Sequence, residues 1–414
     1  MKSKFFFITI TLGFYCCNNS PKVNFSNSDC VAVSVAVLKN SNKMYTVSLD
    51  SLKQVRKIIP LSLLVEDCSL VQLETREEAL IDPYITTVSE KYIGVWQSYR
   101  IGRTYKLFDR TGKYLCTMRS VGDDASEFSS PHSDVIIDDK NELIYLAPFT
   151  TDKILVYSTK GEFLNEIIAP QKMLNPKLFL YNDILTIIHT PMNNSSPYHD
   201  GYQADKTMVF QFDVKTGKLL NEIKPPIHLV IPNFNSGQIR TSRNIPENFD
   251  FFLYYYFTNN TYKDTLYRVD FDHNVIAPIF TMTYNPNDLS IHEPSGSLCK
   301  PFFFQITKNL IMTKINCGDL VVTDLNSETA SWARIVNDFY GNIPVLPYLE
   351  DFHNGCFVHN IKPEKLKEII KTRLSERSCT AEERKTLTKT LSTLKDGTNN
   401  VVFIGKLREE MKLW

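Results

Sequence analysis

Eight histidines and a scatter of loop carboxylates and amides are the residues of this chain best suited to chemistry. A zinc-dependent lyase would need several imidazoles from separate segments to converge on one ion. His132, His189, His199, His228, His292, His353 and His359 are candidates, but none of their spacings is that of a ligand pair. His189 and His199 bracket one stretch that also holds Asn193, Asn194 and Tyr198. A calcium-dependent hydrolase would use hard oxygen donors. Asp123, Asp124, Asn193, Asn194, Asp250 and Asp351 could supply them, yet they are scattered and form no contiguous calcium loop. Ser295-Gly296-Ser297 lacks the frame of a nucleophile elbow, and phosphate loops and dinucleotide fingerprints are absent from the sequence. No catalytic residue, metal ligand or cofactor is assigned on these residues.

Aromatic side chains offer binding instead. Asn248 to Phe257 is the densest aromatic run, and Pro301-Phe302-Phe303-Phe304 is the second. A flat ring beside Asn or Asp suits a sugar or peptide, because the face stacks and the polar rim bonds. Tyr254 and Tyr256, with Tyr198 and His199, form the candidate ligand set. The competing expectation, given more weight, is that alternating Phe and Tyr make a core strand with both faces packed.

These residues need a scaffold, and its address comes first. Lys2 and Lys4 precede an apolar run from Phe5 to Tyr15, too short to span a bilayer. Cys16 and Cys17 follow. A basic start, a short apolar run and a break describe a secretory signal. The cysteine at the break resembles the lipobox of bacterial lipoproteins. That motif wants a small residue before the acylated thiol, which selects Cys17, preceded by Cys16, over Cys16, preceded by Tyr15. Residues 1–17 are therefore expected to be a signal peptide, and 18–40 a tether with a first strand. Seven cysteines remain, an odd number with no CxxC pair, so zinc and redox motifs have no support. Lys plus Arg equals Asp plus Glu, 46 each. With no net charge the chain has no global field for nucleic acid, and that partner is set aside.

Strand-turn-strand units recur along the rest. Tyr105 to Leu115, Ile154 to Leu164 and Val209 to Leu220 each read as apolar alternation, an acidic or hydroxyl residue, a turn closing on Gly, and alternation again. Period two puts one face inward, and Gly supplies a positive φ. Weaker copies lie at Leu266 to Ile276, Leu320 to Trp332 and Met44 to Ile59. Equivalent positions Val47, Phe108, Tyr157, Phe212, Val269 and Thr323 are 61, 49, 55, 57 and 54 residues apart. A hairpin recurring at that period is the mark of a propeller blade, which cannot bury both faces alone and must stack around an axis. The expected fold is all-β, a six-bladed β-propeller over 41–414. Near the end, Pro363 to Leu374 and Ala381 to Leu394 read as helices, the second behind a Thr380/Glu383 capping box. Residues 363–395 are thus a helical insertion. Residues 400–407 read as a closing strand, expected to join the sheet of the N-terminal repeat and so remove an open edge.

The segments Ile59-Pro60-Leu61, Val71 to Thr75, Phe108 to Phe128, Asp138 to Leu164, Asp264 to Arg268 and Val401 to Leu407 together resemble a family of lipoproteins of Gram-negative bacteria known as six-bladed β-propellers, related to NHL-repeat propellers. Where that family has a Gly-rich turn ending in Gly-Glu-aromatic, this chain matches at Gly122, Glu127 and Phe128 but carries Asp124 and Ser126 in place of two glycines. The resemblance implies the fold and an envelope location. The resulting expectation is a non-catalytic, monomeric binding lipoprotein, anchored to the outer membrane through its lipid alone with the periplasmic side favoured. Its ligand would be a glycan, a peptide or an envelope partner on one propeller face. A metal-dependent hydrolase or lyase, and a structural scaffold, are the alternatives.

Overall fold

A computed structural model describes residues 30–38, 43–53, 55–97, 104–118, 134–193, 207–233, 236–256, 264–285, 300–316, 318, 320–345, 351–411 and 413. The described strands form six sheets. Five are built on an antiparallel meander of four consecutive strands. Sheet I contains Pro83–Val88, Tyr92–Gln97, Tyr105–Asp109 and Tyr114–Met118, and sheet II contains Asp134–Asp138, Leu143–Ala147, Thr150–Ser158 and Phe163–Leu174. Sheet III contains Lys177–Tyr181, Ile184–Ile188, Val209–Asp213 and Leu219–Ile223. Gly237–Ser242, Phe249–Tyr255, Asp264–Asp270 and Val275–Thr283 form the meander of sheet IV; Pro301–Ile306, Leu310–Ile315, Leu320–Asp324 and Thr329–Asn337 form that of sheet V. Sheet VI is composite: Phe352–His353, Cys356–Ile361 and Val401–Lys406 come from the end of the chain, and Ser69–Gln72 from its beginning. The fold is an all-β, propeller-like ring of sheets with two helices.

Local chemistry explains the repeating hairpins. In sheet I the Asp109 carboxylate accepts from Thr111 N, Thr111 Oγ1 and Lys113 N at 2.6–3.0 Å. In sheet III Asp213 accepts from Lys215 N, Thr216 N and Thr216 Oγ1 at 2.8–3.1 Å. These side chains hold the turn closed while glycine takes the left-handed backbone. Gly112, at φ +90°, has a further reason to lack a side chain, since a Cβ there would lie 2.2 Å from the Gln72 carbonyl oxygen.

Apolar side chains bind each sheet to the next. Trp96 and Tyr105 of sheet I meet Leu146 and Leu155 of sheet II. Tyr145 and Val156 meet Phe210 and Phe212 of sheet III. Ile188 and Val209 meet Phe251 and Leu253 of sheet IV. Phe252 and Phe280 meet Phe304 and Ile311 of sheet V. Sheet VI packs on both remaining neighbours, with Phe357 and Phe403 against Leu310 and Val322 of sheet V, and Val402 and Ile404 against Val95 and Phe108 of sheet I. Buried rings and branched chains fill every junction, which is the condition for a stacked-blade ring.

The N-terminal repeat departs from expectation. Five of the six repeats read from the sequence are blades of consecutive strands. The copy at Met44 to Ile59 is not a blade. Its first half, Lys43–Ser48, adds in parallel to the outer strand of sheet IV. Its second half, Arg56–Pro60, adds in parallel to the outer strand of sheet V. The 3₁₀ turn Leu49–Ser51 carries the chain across, and Val47, Leu49 and Leu52 are buried between the two sheets. Alternating apolar residues serve an edge strand as well as a hairpin, so the pattern alone could not separate the two. The closing strand is corrected for the same reason. Val401–Lys406 pairs antiparallel with Ser69–Gln72, not with a strand of the Met44 to Ile59 region.

The helices Pro363–Ser375 and Ala381–Thr393 lie between the second and third strands of sheet VI. In the second, the Thr380 hydroxyl accepts from Glu383 N while the Glu383 carboxylate accepts from Thr380 N. Leu366, Ile370 and Leu387 bury against the junction of sheets V and VI. No described helix is long and apolar enough to cross a membrane.

Candidate functional site

The first strand of each sheet faces the ring axis, and the axis holds a cavity of about 110 Å³. Every sheet contributes to its wall: Thr87 from I, Asp134 from II, Lys177 from III, Gln238, Arg240 and Thr241 from IV, Phe303 and Gln305 from V, and His353 from VI. A wider cavity of about 240 Å³ sits at one end, lined by turn residues such as Ser89, Asp139, Pro246 and Asn354, and it shares Thr87 and Arg243 with the first. The axis therefore opens at the face carrying those turns.

Two networks hold this wall in place. Arg243 donates from Nη1 to Asp134 Oδ2 at 2.8 Å and to the Leu178 carbonyl at 3.1 Å. Asp134 also accepts from Leu178 N at 2.7 Å. One ion pair thus ties sheets II, III and IV together. It is nearly excluded from water, so its geometry is what makes the carboxylate tolerable there. On the opposite wall Asn244 donates from Nδ2 to Gln305 Oε1 at 2.9 Å and to the Phe352 carbonyl at 3.1 Å, tying IV to V and VI. Asn175, just before the first strand of III, takes a positive φ of 48°. Its Nδ2 donates to the Ile239 carbonyl at 3.1 Å. Its Oδ1 is buried and has no hydrogen-bond partner among the described residues.

Arg240 occupies an aromatic seat. Its guanidinium lies 3.9 Å from the Phe302 ring centre and 4.7 Å from that of Tyr254, and Nη1 donates to the Phe302 carbonyl at 3.2 Å. Lys300 stands on the same tyrosine, 4.6 Å from its ring centre, and donates to the Tyr255 carbonyl. Behind them, Asp264 accepts from the Tyr284 hydroxyl at 2.7 Å. Burial pushes the Asp264 carboxyl up to about 6 against the pull of Tyr284 and Lys300. Burial also lowers Lys300, with Asp264 opposing.

Of the candidate ligand residues, Tyr254 is half-buried and Tyr256 is 40% exposed, their ring centres 5.9 Å apart. The rest of that strand is mostly core, Phe251, Leu253 and Tyr255 facing sheet III and Phe252 facing sheet V. Tyr198 and His199 lie outside the described residues, as do Cys17, Asp123, Asp124 and His132. His189 is buried and stacked on Phe210, with Nε2 2.8 Å from the Thr207 carbonyl oxygen and 3.1 Å from Gln171 Nε2. Burial lowers it to about 4, so the ring is neutral. Among the described residues no three His, Cys, Asp or Glu side chains are grouped to hold a metal ion. The described cysteines Cys30, Cys68, Cys116, Cys356 and Cys379 are free thiols. Burial pushes Cys68 up to about 12 and Cys116 up to about 11, which keeps both protonated.

Sequence reasoning did not find Asp134, Asn175, Lys177, Arg240 or Arg243. One signal was available in Gly237–Ser242, where Gln238 and Arg240 alternate with Ile239. A cation inside a strand that opens a blade points toward an axis.

An axial cavity walled by the first strands of successive sheets defines a propeller-like protein. More particularly, residues 44–406 match the family described as domain of unknown function DUF4934, and the chain belongs to that family. No curated protein matches it. Among solved structures it is similar to a Bacteroides fragilis protein described as a presumptive exported protein, with a TM-score of 0.55 and 14% identity over 88% of this chain and 99% of that one. At that identity the likeness concerns the fold.

Proposed function

We propose that this chain is an exported, lipid-anchored propeller whose composite sheet is the sixth blade, and that it binds a glycan or peptide ligand in its axial cavity without transforming it. Export rests on residues 1–17, with Cys17 as the acylated residue, and agrees with the description of the Bacteroides fragilis neighbour. The sixth blade rests on the packing of the composite sheet against sheets V and I. The protein acts as a monomer and meets the outer membrane through its lipid alone, on the periplasmic side.

One observation carries the binding reading: a single cavity receives side chains from all six sheets, most of them polar. Convergence of a few fixed polar groups on a concave site is the usual form of a small-ligand pocket. Tyr254 joins this site because its ring supports Arg240. A thermal-shift screen of the purified protein against glycan and peptide libraries tests the reading. At least one compound should raise the melting temperature, and Gln238→Trp, which narrows the axis, should abolish that rise. Compounds that stabilise the wild type and this variant equally would refute a channel site.

A further inference from the structure

The two cavities on the axis meet at Thr87 and Arg243, which line both. The mouth, about 240 Å³, narrows there to about 110 Å³. Pockets that enclose a whole drug-sized ligand run to roughly 300–1,000 Å³, so this one takes the end of a chain. The wall of the mouth is aliphatic. Ile137 of sheet II, Leu180 of sheet III, and Ile245 and Pro246 just beyond the first strand of sheet IV line it, and all keep accessible surface. A sugar ring would stack on an aromatic face, but Phe179, the ring in this wall, is only 4% exposed. The mouth therefore suits an aliphatic side chain better than a pyranose.

Arg243 supplies the polar group where the axis narrows. Both of its hydrogen bonds leave from Nη1, to Asp134 and to the Leu178 carbonyl. Nε and Nη2 have no hydrogen-bond partner among the described residues, and the side chain is 14% exposed. Their N–H bonds run parallel along one edge of the guanidinium, and the two oxygens of a carboxylate match that edge. A backbone carbonyl offers one oxygen to the pair, and a peptide N-terminus would set a cation against a cation. Gln305 adds to the same demand. Its Oε1 accepts from Asn244 Nδ2 at 2.9 Å and from Ser242 Oγ at 3.2 Å. Its Nε2, a donor, has no partner among the described residues, and the side chain lines the axial cavity. At the rim the sign reverses. Glu90 is exposed, and Asp139 accepts from Ser89 Oγ at 2.7 Å. A ligand with its carboxylate inward and a basic group behind it meets complementary charge at both depths.

We propose that the mouth of the axis captures the C-terminal end of a peptide that finishes in an aliphatic residue, with that side chain against Ile137, Leu180 and Ile245 and the carboxylate on the Nε and Nη2 edge of Arg243. The inference rests on the channel-binding reading above and narrows its ligand to a peptide. Capture of a free C-terminal carboxylate is a recurring mode of peptide recognition.

Isothermal titration of the full chain provides the test, with Ala-Lys-Ala-Leu as the probe. The comparators are the same peptide ending in a carboxamide, Ala-Lys-Ala-Ser, and octanoate, which keeps the carboxylate and the apolar chain without a peptide backbone. The probe should bind roughly tenfold or more tightly than each of them. Arg243→Lys keeps the charge beside Asp134 but loses the fork, and should weaken the probe roughly tenfold. Asp134 opposes a second carboxylate on the same guanidinium. Asp134→Asn should therefore tighten the probe and leave the carboxamide peptide unchanged, a response that a purely structural role would not produce. Melting curves show whether these variants fold, and the comparison of ligands on the wild-type protein carries the test if they do not. No binding of the probe, or equal binding of the carboxamide or Ser-ended peptide, overturns the inference. Octanoate binding as tightly as the probe overturns the peptide class. Where a comparator binds as well as the probe, Gln238→Trp separates the two readings: loss of binding leaves the channel site standing, whereas unchanged binding removes it together with the peptide.

Discussion

Two buried titratable residues make opposite demands on pH, and neither belongs to the axial cavity. Asp264 is raised to about 6 by burial between Tyr284 and Lys300. The native state therefore binds more protons than the unfolded state between about pH 4 and 6, so its contribution is greatest below that window and is lost as pH rises through it. His189 is lowered to about 4, also by burial, beside the Thr207 and Thr190 carbonyls. There the unfolded state binds more protons between about pH 4 and 6.5, and stability is lost as pH falls. Each shift amounts to about 3 kcal/mol, and the two oppose each other. Denaturation from pH 4 to 7 tells them apart through variants. Asp264→Asn should leave a profile that weakens on acidification, and His189→Gln one that strengthens. Profiles of the same slope in both variants would refute this account. His189 also shows what a histidine count conceals, because its ring is stacked, bonded and neutral. Arg240 shows the converse: its neighbours mark only a cation in a strand, and its role comes from Phe302 and Tyr254, which lie 62 and 14 residues away in sequence.

At the scale of elements, closure of the ring depends on short strands with weak sequence signals. The Asp-to-Gly turns were legible because their chemistry is contained in four or five residues, Asp109 to Gly112 and Asp213 to Gly217. Ser69–Gln72 was not, because four residues with no strict alternation acquire meaning only beside Val401–Lys406, more than 300 positions on. Gly112 reports on this contact. Gly112→Ala places a Cβ against the Gln72 carbonyl oxygen, whereas Gly217→Ala, at a turn of similar backbone, meets nothing within 4 Å. Both substitutions pay for a left-handed backbone, about 1 kcal/mol. Gly112→Ala should cost about 2 kcal/mol more by urea denaturation, and equal losses would show that the turn does not press on sheet VI. Asn399 is the second report. Its Nδ2 donates to the Glu74 and Ala79 carbonyls at 2.9 and 2.7 Å, and its Oδ1 accepts from Ile81 N at 3.2 Å. Asn399→Ala strands these buried groups and should cost about 3 kcal/mol or more. A loss below about 1 kcal/mol, the scale of an ordinary surface change, would mean that this joint does not hold the ring.

Across the whole molecule, the period of the hairpins conveyed the ring and missed how it closes. Spacing counts repeats of one local shape, so it took the Met44 to Ile59 edge strands for a blade and passed over a sheet assembled from both ends of the chain. The axial cavity was equally hidden. Its wall runs from Ile85 to His353 and no two sheets supply neighbouring sequence, so no motif could announce it. Closure and cavity are one construction, because removing the last strand opens the ring that brings six walls together. A chain ending at residue 398 should lose the single cooperative melt and all binding at the axis, whereas Gln238→Trp should lose binding with the melt intact. The most direct test of the central claim is a crystal structure of the protein with the library compound that stabilises it most. The account predicts ligand density on the ring axis, against Gln238 and Arg240. Density confined to an outer edge, with only solvent on the axis, would contradict it.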